Sequence, residues 1–162
     1  MKRSPIRRKK VSLRKSGFKK KKKTKEKKAS ERVWELCRQI VWLRDGEKCV
    51  HCGGRRGELN EKGSTIVLNA HHWITHDVRS QESRYMFDNL VSLCSSCHLW
   101  KWHQGSDMRV LRSIQEHMGQ FMDGERYNEI MEMAGKGRVK RVLQDYLDLE
   151  TEFKEMLAEG GE

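Results

Sequence analysis

The sequence predicts an α+β fold. We expect a small module built around a four-cysteine zinc knuckle, flanked by an N-terminal helix and a helical C-terminal extension. Three observations carry this. Two Cys-x2-Cys hooks, Cys49/Cys52 and Cys94/Cys97, are separated by 41 intervening residues. A β-branched run, Thr65-Ile66-Val67, leads into paired histidines. Apolar residues recur at helical spacing before and after this region.

The charge is uneven. Residues 1–30 hold 16 Lys/Arg against one acid, Glu26, for a net of +15. Residues 31–105 carry +1 and residues 106–162 carry −5. We expect three parts: a basic disordered arm over 1–30, a zinc-containing domain with a leading helix over 31–105, and a helical extension over 106–162. Like charges repel and few apolar residues offset the ordering entropy, so the arm is read as disordered. Its lysines, Lys19, Lys20, Lys21, Lys22 and Lys23 among them, suit phosphate binding through counterion release without base readout.

Only 36% of the chain is hydrophobic and 35% is charged, so the core is thin and metal support is plausible. No apolar run is long enough for a membrane helix, and no apolar segment follows the basic N-terminus as a secretory signal requires. The expected location is the cytosol, where five cysteines argue for metal rather than disulfides.

Taken in order, Ser30 is a candidate N-cap for a helix over 31–44, with Val33, Leu36, Cys37, Ile40 and Leu43 on one stripe. Cys37 is read as core on that stripe, and Asp45-Gly46 ends the helix. "STIVLNAHHWI" reads as a strand entering His71-His72, "ITHDVRSQESRYM" as a loop that includes His76, and "CHLWKWHQ" as a short helix from about Cys97. His51 is left at the surface, and Trp100 and Trp102 are assigned to packing around the knuckle. Residues from Asp107 and over 125–134 read as weaker helices. Residues 138–158 read as the best one, with Val139, Val142, Leu143, Tyr146, Leu149, Phe153 and Leu157 as a core seam.

Each Cys-x2-Cys hook puts two thiolates on one turn, and two hooks complete a tetrahedral structural zinc site. A zinc ribbon separates its hooks by roughly 15–20 residues. Here the longer insert must hold something folded, and it holds His71-His72, then Asn89, with His98 directly after the last cysteine. On a strand, neighbouring side chains point to opposite faces, so the twin histidines cannot duplicate one role there; at a strand end or bulge the two can flank one site while doing different jobs.

"AHHWI…DNLVSLCSSCHLWK" resembles the HNH nucleases over about residues 47–103. Histidine, Asn and Cys-x2-Cys-His fall in order, 17 residues from His72 to Asn89 and nine from Asn89 to His98. More narrowly, the chain looks like the NinG/Rap recombination nucleases of lambdoid phages. The features shared are the basic N-terminus, "LRDGEKC" before the first hook, "SRYMFDN" before the Asn, and the helical C-terminal extension.

The resemblance implies a ββα-metal fold and a metal-dependent DNA endonuclease. It implies that His72 is the general base and Asn89 orients its loop. It further implies that His71 and His98 hold one catalytic divalent ion (Mg2+, Mn2+ or Ni2+) beside the structural Zn2+ of Cys49, Cys52, Cys94 and Cys97. Lys101, three residues after His98 and expected on the same helical face, is a phosphate-contact candidate, as are Arg79 and Arg84. DNA is the expected partner, with no membrane, and other recombination or phage proteins are expected to dock on 106–162. The competing expectation is a zinc-organised nucleic-acid-binding module without catalysis.

Overall fold

The computed structural model describes residues 22–74, 83–103, 107–135 and 139–160. The expectations for the arm up to Lys21, with Lys19 and Lys20, and for the loop holding His76 and Arg79 lie outside the described residues.

Helix α1 spans Lys25–Arg44 and begins earlier than the Ser30 cap predicted. The Thr24 hydroxyl accepts from the Lys27 N–H at 3.3 Å and caps the first turn. Tertiary contacts sustain the extra turn: Ala29 is fully buried, and the Ser30 hydroxyl shares a hydrogen bond with the Tyr85 hydroxyl at 2.8 Å. A boundary at residue 30 therefore falls inside a helix. Lys22 and Lys23 are exposed just ahead of it, with Lys23 paired to Glu31 at 2.7 Å. Cys37 is fully buried on the α1 stripe, and burial pushes its thiol up to about 12. Asp45 closes the helix and Gly46 turns the chain with φ +69°, a conformation that favours glycine.

The sheet has two antiparallel strands, β1 (Leu68–His72) and β2 (Leu90–Cys94). Leu68 pairs with Cys94, Ala70 with Ser92, and His72 with Leu90. The strand starts after the β-branched run rather than in it; Thr65 makes only an isolated bridge to Leu59. Each face of the ribbon is covered differently. Ala70 and Leu90 pack into a core with Val33, Cys37 and Val41 of α1. Val91 and Leu93 pack with Val110, Ile114 and Met118 of helix α2 (Met108–Met118). Those three α2 residues repeat every four positions, which makes one buried face.

After β2 the chain winds as a π-helix over Ser96–His103. Helix α3 (Gly124–Gly135) buries Ile130 against Ile74. Helix α4 (Leu143–Glu159) buries Tyr146 and Phe153 against α1. It starts later than predicted: Val139 and Val142 are exposed, and the Asp145 carboxylate accepts from the Val142 N–H at 2.7 Å to cap the helix. Val139 and Val142 therefore fall outside the core seam, which runs through Tyr146 and Phe153 with Leu143 and Leu149 packed against them.

One polar node joins these layers. The buried Asp45 carboxylate accepts from Arg44 Nε at 2.8 Å, His117 Nε2 at 2.8 Å and the Ser92 N–H at 2.7 Å. Arg44 also donates to the carbonyls of Phe87 and Leu90, at 2.8 and 2.6 Å. The node ties the end of α1 to β2 and to α2. Among the described residues, no helix is long and apolar enough to cross a membrane.

Candidate metal centres and histidine site

The four hook cysteines come together, with ligand atoms all within 4.8 Å of one another. The first hook is shaped by backbone bonds: Cys49 N–H to the Gly54 carbonyl at 2.9 Å, and Gly53 N–H to the Cys49 carbonyl at 2.8 Å. Gly53 takes φ +73°, which a side chain would strain. The Val50 N–H reaches the Ser92 carbonyl at 3.0 Å and fastens the hook to β2. Cys52 Sγ and Cys94 Sγ lie 3.7 Å apart. Two sulfurs on one tetrahedral zinc, with bonds of about 2.3 Å, lie about 3.8 Å apart. Hydrogen bonding within the cluster lowers the Cys94 thiol and raises that of Cys97, as expected of thiols that share protons at close range. The sulfur geometry suits a zinc ion.

His71 and His98 also meet, with ring centroids 5.1 Å apart. A third ring joins them: His103 lies 5.4 Å from His71 and 4.6 Å from His98. The three offer ligand nitrogens within 4.8 Å of one another. His98 Nε2 and His103 Nε2 are 3.2 Å apart. Nitrogens bound to one ion at about 2.0–2.1 Å, roughly 90–110° apart, lie about 2.8–3.4 Å from each other. The donor set therefore suits a divalent ion with an open side. Burial and the two neighbouring rings push His71 down to about 3, and burial lowers His98 too, so both present lone pairs at neutral pH.

Sequence reasoning missed His103. In an α-helix, residues five apart diverge, and only i→i+5 winding brings them onto one face. The same winding corrects the placement of Lys101. It does not share the His98 face, but lines an open groove of about 620 Å³ with Cys97 and Trp100 beside the knuckle. Trp100 is 65% exposed there, not packed around the cysteines. His51 is half-buried rather than at the surface, with Nδ1 3.0 Å from the Ser113 hydroxyl on α2.

His72 points away from His71, onto the α1 face. Its ring stacks on Trp34 at 5.5 Å and 8°. Its Nε2 lies 3.0 Å from the Arg84 carbonyl. A carbonyl only accepts, so Nε2 carries the proton and the neutral ring's lone pair is on Nδ1. Burial lowers the His72 pKa, which favours that neutral form. The Arg84 guanidinium lies over Trp34 and Tyr85, each at 5.5 Å.

Asn89 is fully buried. Its side-chain oxygen accepts from the Ile74 N–H at 2.7 Å, and its amide donates to the Ile74 carbonyl at 3.2 Å. The Asn89 carbonyl accepts from the Trp73 N–H at 2.9 Å. Asn89 thus clamps the chain just beyond the histidine pair, while Ile74 is held in turn by Ile130 of α3.

The fold and these clusters define a class: a mixed helical protein with a small two-stranded antiparallel sheet and a four-cysteine cluster that can bind zinc. Comparison with protein-family models, curated proteins and solved structures finds no match to this chain.

Proposed function

We propose that this chain is a metal-dependent DNA endonuclease of the HNH kind, with DNA bound in part through its basic N-terminal segment. The observation that carries the reading is the division of labour between adjacent histidines. His71 joins His98 and His103 in a three-imidazole cluster, while His72 keeps a lone pair on Nδ1. The ribbon is only two strands wide, so rings from its two faces can serve one edge.

His72 Nδ1 takes a proton from water as the water oxygen attacks phosphorus in line. The 3′-oxygen leaves and takes up a proton, giving 5′-phosphate and 3′-hydroxyl ends. General-base help of this kind contributes about 10²–10⁴-fold. His71, His98 and His103 would hold a divalent ion, which stabilises charge on the phosphoryl group and leaving oxygen. Asn89 keeps the end of β1 in register through Ile74. Cys49, Cys52, Cys94 and Cys97 hold structural zinc, and Lys101, with Arg84 beside the base, contributes positive charge near the path of the strand. We further propose a branched recombination intermediate as the substrate, in a phage or mobile-element setting in the host cytosol.

The test is cleavage of plasmid and four-way-junction DNA by wild type and His72→Ala at matched zinc content. Wild type should cut and His72→Ala should not. Imidazole ligands favour later transition metals, so Mn2+ or Ni2+ should support at least the rate of Mg2+. Cleavage retained by His72→Ala ends the reading. Salt-sensitive DNA binding without cleavage by either protein assigns the chain as a zinc-organised binding module.

A further inference from the structure

We infer that Trp34, on the leading helix, is a positioning residue that holds the His72 ring in the orientation the reaction needs. The inference rests on the reading above, in which His72 is the base. It adds a residue from the leading helix, outside the segment that carries the candidate metal ligands.

The Nε2 bond to the Arg84 carbonyl fixes one vertex of the imidazole. One bond is a weak restraint against rotation about Cβ–Cγ, which would break it and carry Nδ1 off target. Trp34 removes this freedom on one side: the two planes are 8° from parallel with centroids 5.5 Å apart, within the range of aromatic stacking. Trp34 is itself held. Tyr85 meets it edge-on at 6.3 Å, and the Arg84 guanidinium lies 5.5 Å from its ring centre. Arg84 therefore acts twice, with its carbonyl on His72 and its cation on Trp34. Tyr85 returns to α1 through its hydroxyl at Ser30. The result is a closed circuit of α1, His72 and residues 84–85. His72 cannot swing toward α1 unless α1 or that turn moves. Helix α4 packs on α1 and shares the core to which Trp34 belongs. The C-terminal extension thereby supports the ring from behind.

The test uses the full-length, zinc-loaded chain with Trp34→Leu and Trp34→Phe. Two readouts apply. Long-range ¹⁵N–¹H spectra of the histidine side chains report the His72 tautomer without reference to activity. Wild type and Trp34→Phe should show one Nε2–H form, and Trp34→Leu should show averaged nitrogen shifts. In Mn2+-supported cleavage, Trp34→Leu should lower kcat about 10- to 100-fold with KM unchanged, since a misplacement on the order of 1 Å costs that much. Trp34→Phe should recover most of the rate. If Trp34→Leu does not fold, Trp34→Met, which cannot stack flat, replaces it. A single tautomer and an intact kcat without the stacked ring overturn the inference. So does an equal loss in Trp34→Phe. If wild type cleaves nothing, the endonuclease reading falls by itself, and the tautomer comparison alone decides whether Trp34 orients His72.

Discussion

Asp45→Ala should cost the protein about 3–4 kcal/mol of stability. The side chain is buried at 3% exposure and accepts three hydrogen bonds, from Arg44, His117 and the Ser92 N–H. The losses are unequal. The Ser92 N–H belongs to a fully buried residue, and an orphaned donor there costs about 1–3 kcal/mol. The Arg44 and His117 side chains are 19% and 18% exposed, so water recovers part of what they lose. Arg44 also keeps its bonds to Phe87 and Leu90. The total falls at the low end of the roughly 3–5 kcal/mol seen when one partner of a buried pair is removed. His117→Phe, which removes one bond, should cost about 1 kcal/mol.

The assay is urea unfolding at about pH 7 in a fixed excess of zinc, so that metal binding contributes equally to each protein. The midpoint should fall with the slope unchanged. The pH dependence follows from the same contacts. Burial pushes the Asp45 carboxyl up, but the hydrogen bonds from His117, Arg44 and Ser92 and the Arg44 charge outweigh it, and the net direction is down. A carboxylate with a folded pKa below its unfolded value of about 3.9 stabilises the fold in full above that value. The stabilisation is lost as pH falls through the folded pKa. The gap between wild type and Asp45→Asn should therefore be complete at about pH 5 and shrink below about pH 4. A loss under about 1 kcal/mol for Asp45→Ala would refute the claim that this node ties α1, β2 and α2 together.

Two further outcomes follow from the site. Chelating zinc, or replacing Cys94 with Ser, should unfold the hairpin region, because a structural zinc site contributes about 10–16 kcal/mol of apparent binding energy; circular dichroism and zinc content report this, and an unchanged spectrum in metal-free protein would count against the knuckle. Asn89→Leu should cost about 2–4 kcal/mol, since it leaves both polar groups of the Ile74 peptide backbone without their buried partner. Amide exchange should locate the loss at residues 73–74, and uniform loosening across the molecule would contradict the clamp.

Several features were legible because they are written in neighbouring residues. The two hooks each bring their sulfurs to one turn, and together they mark a four-cysteine cluster that could hold a metal ion. Cys37 falls on the apolar stripe of α1 and is core. Strand alternation separates His71 from His72 by direction, and the two rings do lie on different faces. The helix boundaries were less legible. α1 gains a turn inside a basic run because Thr24 caps it and Ala29 is buried, and α4 starts late because Asp145 caps it.

The sequence by itself determined the ligand chemistry of the cysteine cluster, the opposed directions of the twin histidines and the helical character of the flanks. Those depend on spacings of a few residues, which covalent geometry converts directly into proximity. Tertiary structure alone decided that His103 joins His71 and His98, that Trp34 covers His72, and that Asp45 gathers Arg44, His117 and Ser92. The first depends on a π-winding that local pattern does not announce. The other two depend on how α1 and α2 press on opposite faces of the ribbon, and packing between segments distant in the chain leaves no periodic trace in either of them.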